Sequence, residues 1–283
     1  MNRTAEAPSI RRLLDNAAAR LPATESARLD AEVLLAHVIN RPRSYLYTWP
    51  ERNLPSDQQA RFDRLLQRRA AGEPVAYLIG RREFWSLPLT VTADTLIPRP
   101  ETETLVALAL ERIPPAAPAR IADLGTGSGA IALAIASERP RCRLVATDVS
   151  AAALAVARRN AKRLGIENIR FLAGDWFAPL PDTPFDAIVS NPPYVPETAP
   201  HLSQGDVRFE PRQALASGPE GMNDLARIAH GALGRLRSGG WLLLEHGYDQ
   251  GEQAVRLLES AGFHAVADHA DDSGHCRVVI GQK

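Results

Sequence analysis

From residue 119 onward the hydrophobic pattern of this chain keeps switching period, and few architectures accept that. Residues 119–124, 143–147, 169–172, 185–189 and 241–245 are short apolar runs of strand character. Residues 128–138, 151–164, 223–236 and 250–261 carry their apolar side chains at helical spacing. Two further strands, 263–267 and 275–280, are joined through Asp272, Ser273 and Gly274. Strand and helix in alternation predict an α/β fold: a doubly wound, mostly parallel seven-stranded sheet with a late antiparallel strand. Ligands of such sheets bind beyond the carboxyl ends of the strands, beside the point where strand order reverses.

The first part of the chain reads differently. Residues 9–21 and 24–39 are helical, the second with Leu29, Val33, Leu34 and Val38 on one face. Ser56 is the expected N-cap of a third helix carrying Phe62, Leu65 and Leu66, with Gly72 past its end. Short β-like pieces at 82–87 and 89–92, around Pro88, predict a hairpin. Arg99-Pro100-Glu101-Thr102-Glu103 then opens a helix running to Ile113, with proline and acids in its first turn. Pro114, Pro115 and Pro118 form a stiff connector. The expected division is a helical domain at 1–80, a hairpin linker at 81–98 and the α/β domain at 99–283.

Charge and cysteine content exclude several classes. The 33 basic residues balance 33 acidic ones, which argues against a polyanion binder. Cys142 and Cys276 belong to no pair with ligand spacing, so neither a metal site nor a disulfide scaffold is expected, and a reducing, cytoplasmic setting fits. The N-terminus has no apolar leader core, and no apolar run approaches the ~18 residues of a membrane span.

Four strand ends carry the chemistry. Asp123-Leu124-Gly125-Thr126-Gly127-Ser128-Gly129 follows the first strand of the alternation and opens a helix, so backbone can approach a ligand whose negative end faces the helix N-terminus. Gly125-x-Gly127-x-x-Ala130 also fits a dinucleotide fingerprint, and Asp148 ends the next strand where ribose hydroxyls are read. The loop alone leaves NAD and S-adenosylmethionine both open. Gly174-Asp175-Trp176-Phe177 ends the third strand, with an acid to accept from an adenine amine and an indole to pack on its ring. Asn191-Pro192-Pro193-Tyr194 ends the fourth. Two prolines without N–H groups leave carbonyls and an amide as directed partners, and a tyrosine ring follows. That suits a planar –NH2 group, a carboxamide or the exocyclic amine of a base, while a strand stopped by prolines is the plain structural alternative. Residues 197–222, rich in proline and glycine, are expected to cover a substrate. His246 is the one histidine at a strand end worth watching, against the plain reading of a sheet-edge residue.

Together these residues resemble class I S-adenosylmethionine-dependent methyltransferases acting on planar nitrogens. Over nearly the whole chain they are similar to the peptide chain release factor glutamine N5-methyltransferase (HemK/PrmC) family. The matching pieces are the helical N-terminal region, LIPRPETE at 96–103, DLGTGSGAIALA from Asp123, SNPPY from Ser190, FEPRQAL at 209–215 and LLLEHG at 242–247. The resemblance implies that the donor is S-adenosylmethionine, released as S-adenosylhomocysteine. Its holders would be Asp123, Gly125, Thr126, Gly127, Ser128, Gly129, Asp148, Asp175, Trp176 and Asn191. It implies that Asn191, Pro192, Pro193 and Tyr194 bind the substrate, with Asn191, Pro192 and Tyr194 catalytic. The implied substrate is the glutamine of the Gly-Gly-Gln tripeptide in release factors, in support of translation termination, with the helical domain recognising that partner. A cytoplasmic monomer without nucleic-acid or membrane contact is expected. The competing readings are a methyltransferase for a ribosomal-protein glutamine, an adenine N6-methyltransferase, a binding module with a vestigial site, and an NAD oxidoreductase. The last would need a hydride-transfer acid or base, which NPPY does not supply.

Overall fold

The computed structural model describes residues 8–21, 26–116 and 118–283, which form two compact units divided between Gly80 and Arg81. The expected helix start at Thr24, and Ala117 in the proline-rich connector, lie outside the described residues.

The first unit holds α1 (Ile10–Arg20), α2 (Ala27–Ile39), α3 (Arg43–Thr48), α4 (Ser56–Ala70) and α5 (Val75–Ile79). Ser9 caps α1, its side chain accepting from the Arg12 N–H at 3.4 Å. Pro55, not Ser56, is the cap residue of α4: its fixed φ of −57° gives an extended entry, and its carbonyl accepts the first helical bond from Gln59. Sequence periodicity misses α3 and α5, of 6 and 5 residues, because neither is long enough to show a helical period. Ile10, Leu14, Leu34, Leu35, Phe62 and Leu66 form the core. Leu29, expected on the apolar face of α2, is exposed, whereas Glu32 is buried. Glu32 accepts from Arg28, Arg43 and the Tyr47 hydroxyl, so its charge is matched on every side.

The second unit begins with a hairpin, β1 (Arg81–Phe84) and β2 (Leu87–Thr90). Its turn is Trp85-Ser86, with φ of 51° and 57°, and Pro88 lies within β2 opposite Glu83. A two-residue hairpin turn with positive φ at both positions usually shows in sequence as Asn-Gly. Here contacts from afar hold it instead: the Trp85 N–H donates to Glu103 at 2.7 Å and the indole N–H to Glu138 at 3.0 Å. A 3-10 turn (Pro100–Thr102) leads into α6 (Glu103–Arg112). There follow β3 (Arg120–Leu124), α7 (Ala130–Glu138), β4 (Arg143–Asp148), α8 (Ala151–Leu164), β5 (Ile169–Ala173), β6 (Phe185–Ser190), α9 (Asn223–Ala232), β7 (Leu236–Glu245), α10 (Gly251–Ala261), β8 (His264–Ala270) and β9 (Cys276–Gln282).

These strands make one seven-stranded sheet in the order β5-β4-β3-β6-β7-β9-β8, parallel except for β9, which runs antiparallel to both neighbours. Successive residues of the central strands face opposite core layers: Ala187 and Val189 pack with α6 and α7, and Ile188 with α9 and α10. The order reverses beside β3 and β6, so their carboxyl ends open a crevice. At β7 the expected helix end and turn move. The helix stops at Ala232, Leu236 already pairs with Phe185, and the chain bulges before Trp241. Arg237 stays on the sheet because its guanidinium meets Asp186 at 2.5 Å. Among the described residues no helix is long and apolar enough to cross a membrane.

Candidate active site

The loop after β3 is fastened to the end of β4, because the N–H groups of Gly125 and Thr126 both donate to the Thr147 carbonyl at 2.9 Å. Gly125 has φ of 73°, and a Cβ there would stand 3.1 Å from the Trp176 ring, so the indole lies directly on the loop backbone. Gly127 also has positive φ, but a Cβ on it would meet no atom within 4 Å, which leaves open space at the wall of a cavity of about 220 Å³. Asp148 spans this loop and the start of α8, accepting from the Gly127 N–H and the Ser150 N–H, each at 2.8 Å. Burial raises its carboxyl pKa and those two N–H groups oppose the rise. The same cavity is lined by Asp148, Asp175 and Trp176, by Val149, which is 68% exposed, and by Asn191 and Pro193. Asp175 is paired with Arg227 at 2.5 Å across the mouth.

The other residues expected at the loop lie beneath it. Asp123, Thr126, Ser128 and Gly129 are buried and do not line the cavity. Asp123 accepts from the Thr126 hydroxyl at 2.5 Å, and burial pushes its carboxyl up to about 7. Asn160 of α8, fully buried, ties this floor to the hairpin through the Ser128 carbonyl and the Thr90 backbone.

A second cavity, about 530 Å³, opens on the other side of Asn191. Tyr194, Arg99, Tyr248, Gln253 and Arg277 are among its walls, with the 197–222 segment as cover. Leu96, Asn191 and Ala214 line both cavities, so the two spaces adjoin along these three residues, of which Asn191 is the polar one. Pro192 is buried and lines neither.

The cover is fastened at several points. The Val195 N–H donates to the Leu215 carbonyl, the Ser217 N–H to the Val195 carbonyl, and the Glu197 N–H to the Gly218 carbonyl. Glu210, whose side chain is fully buried, accepts from the Ile97 N–H at 3.0 Å and pairs with Arg99.

Behind Asn191 lies a polar cluster. The Asn191 Nδ2 donates to the Thr102 hydroxyl oxygen at 3.3 Å, and the Tyr194 hydroxyl donates to Glu245 Oε1 at 3.2 Å. Glu245 is buried and its carboxyl is pushed up to about 7. Burial, with the Glu245 charge second, also raises the Tyr194 phenol. His246 is not at a sheet edge: it is fully buried, its ring nitrogens 2.8 Å from the Gly247 carbonyl and 3.0 Å from Asp268, and it faces neither cavity.

Reading the sequence did not single out Val149, Arg227, Arg277 or Gln253 as wall residues. Val149 had a signal, since an apolar residue directly after Asp148 at a strand end has no core to enter. Chemically, two adjoining cavities suit transfer of a group between two molecules, with the Asn191 carboxamide as the polar wall common to both and the Tyr194 ring in the second. Among the described residues no group of three or more His, Cys, Asp or Glu side chains is placed to hold a metal ion.

Two family models match: PrmC N-terminal domain over residues 12–80 and Methyltransferase small domain over residues 103–207. A release factor glutamine methyltransferase of Escherichia coli is 51% identical over 95% of this chain and 97% of its own. That of Vibrio cholerae is 51% identical over 92% of this chain and 91% of its own. A methyltransferase structure from Pyrococcus furiosus, 21% identical, superposes with a TM-score of 0.53 over 81% of this chain and 99% of that one, which shows the fold.

Proposed function

The chain belongs to the release factor glutamine methyltransferase family, and we propose that it transfers one methyl group from S-adenosylmethionine to the side-chain amide nitrogen of the glutamine in the Gly-Gly-Gln tripeptide of a release factor. The observation that carries this reading is the position of Asn191, the polar residue that walls both a cavity of about 220 Å³ and a larger one of about 530 Å³.

The residues of the smaller cavity fit S-adenosylmethionine. Open space at Gly127 leaves room for its backbone-bound part, Asp148 offers a carboxylate to ribose hydroxyls, and Val149 and Trp176 offer apolar surface to a flat base. The pairing of Asp175 with Arg227 modifies the expectation for that acid: the adenine edge would meet an ion pair rather than a lone acceptor. When bound, the cofactor supplies a methyl group on a sulfonium and departs as S-adenosylhomocysteine.

A carboxamide nitrogen is a poor nucleophile because its lone pair is delocalised into the carbonyl. In this reading the Asn191 Oδ1 and the adjacent Pro192 carbonyl, which substrate entry must uncover, accept its two hydrogens, orient the nitrogen toward the donor cavity, and interact more strongly as positive charge develops on it. Alignment at about 3–3.5 Å contributes several kcal/mol without an acid or base. Tyr194 covers the amide and excludes water. The positively charged nitrogen loses its extra proton to solvent water after transfer, once the site reopens, so the buried His246 has no part in it.

The test is Asn191→Ala. Methyl transfer to a release factor should fall about 100-fold or more, while cofactor affinity, measured by calorimetry, stays within a few-fold of wild type. A variant that methylates at the wild-type rate would remove Asn191 from the mechanism.

A further inference from the structure

The terminal amide of an asparagine has two orientations of nearly equal shape, and only one presents its oxygen to an incoming –NH2 group. Something must choose between them. Thr102 lies on the inner side of the Asn191 amide, 4% exposed, at the end of the 3-10 turn before α6. A hydroxyl has one hydrogen and can either give it to Asn191 or receive one from it. Glu245 settles the matter. It is 1% exposed at the end of β7, where the Tyr194 hydroxyl donates to its Oε1 and the Thr102 hydroxyl helps hold its charge, and its Oε2 is buried away from any other donor. An ionised carboxylate only accepts, so it draws the Thr102 hydrogen, leaving the Thr102 oxygen to accept from Asn191 Nδ2 and turning Asn191 Oδ1 outward. The same carboxylate accepts from the Tyr194 hydroxyl at 3.2 Å.

We propose that Thr102 and Glu245 are positioning residues, which fix the amide of Asn191 with its oxygen toward the acceptor cavity and hold Tyr194 beside it. The inference rests on the methyl-transfer reading of Asn191 given above. It makes the orientation depend on Glu245 being ionised. The groups facing that carboxyl are Thr102 and Glu101 of the 3-10 turn, Tyr194 after β6, and Arg277 of β9, with Arg99 near the Tyr194 phenol. Burial is the largest influence and pushes the carboxyl up to about 7. Once protonated, Glu245 no longer needs the Thr102 hydrogen, and Thr102 is free to donate to Asn191 Oδ1 and stabilise the flipped amide. In Glu245→Gln the new amide N–H donates to Thr102 and has the same effect at every pH.

The experiment compares wild type with Thr102→Val, Thr102→Ser and Glu245→Gln, measuring kcat and KM for release factor methylation from pH 5.5 to 9, and S-adenosylmethionine affinity by calorimetry. Thr102→Val and Glu245→Gln should lose about 10- to 100-fold in kcat with cofactor affinity unchanged. Thr102→Ser, which keeps the hydroxyl, should stay within about threefold of wild type. The wild-type kcat should fall on the acid side of about pH 7, and Glu245→Gln should lack that limb. Three results would each overturn the inference: Thr102→Val as active as wild type, Thr102→Ser as impaired as Thr102→Val, or an unchanged acid limb in Glu245→Gln. If Thr102→Val does not fold, the pH profile of Glu245→Gln decides. Wild type that transfers no methyl to a release factor would instead overturn the methyl-transfer reading itself.

Discussion

The carboxyl groups of Asp123 and Glu245 in the α/β unit are out of water, and both are pushed up to about 7 by burial. The folded chain therefore binds these protons more tightly than the unfolded chain, in which they leave near pH 4. Stability from the pair is fully present below about pH 4 and is lost as pH rises through about 7. Asp268 and Asp271, whose carboxyls are lowered by His246 and by backbone N–H groups respectively, act in the opposite direction but at more acid pH. Thermal unfolding from pH 5 to 8 should show a midpoint that drops toward neutral pH. Asp123→Asn keeps an acceptor for the Thr126 hydroxyl and should flatten that drop, and an unchanged slope would show that Asp123 is ionised in the fold throughout. The fold bears this cost because Asp123, at the carboxyl end of β3, lies beneath the glycine loop, where Thr126 holds one oxygen and the other has no partner.

Among the elements, the cover formed by residues 197–222 depends on close backbone contact. Gly221 has φ of 75°, and a Cβ there would lie 2.1 Å from the Tyr194 carbonyl oxygen. Gly221→Ala must displace either the cover or the NPPY segment, in a backbone conformation that costs an alanine about 1–2 kcal/mol by itself. It should lower stability by about 2 kcal/mol or more and abolish methylation, as read by denaturant unfolding and by label transfer, and wild-type behaviour would show that the cover does not rest on Tyr194. Such contacts separate what was legible in the sequence from what was not. The glycine loop, Asp148, Trp176 and NPPY were readable because each is dictated locally, by positive φ, by a strand end or by missing N–H groups. Glu210 to Ile97 and Arg99, and Thr102 to Asn191, join positions about a hundred residues apart, and no local pattern encodes them. The hairpin turn was misplaced at Pro88 for the same reason, since Glu103 and Glu138 hold Trp85 from afar. The start of β7 was missed because three residues bulge between Leu236 and Trp241, and a bulge imitates a turn.

For the whole molecule, strand alternation alone gave the sheet, since parallel strands need helical crossovers and those crossovers fix which ends open into a crevice. The β5-β4-β3-β6-β7-β9-β8 order puts the ends of β3, β4, β5 and β6 side by side, and the four motifs read from sequence lie at those ends. The role of the helical unit was less legible, because its short helices and its Arg28, Glu32, Arg43 and Tyr47 cluster carry no chemistry of their own. What receives the methyl group is tested directly by one measurement. Labelled S-adenosylmethionine is offered to the full chain with a release factor, with that factor's Gly-Gly-Gln glutamine changed to alanine, and with nucleic acid. One methyl group is expected per intact release factor, and none on the other two. Label on nucleic acid, or equal label on the glutamine-to-alanine factor, would contradict the proposed function.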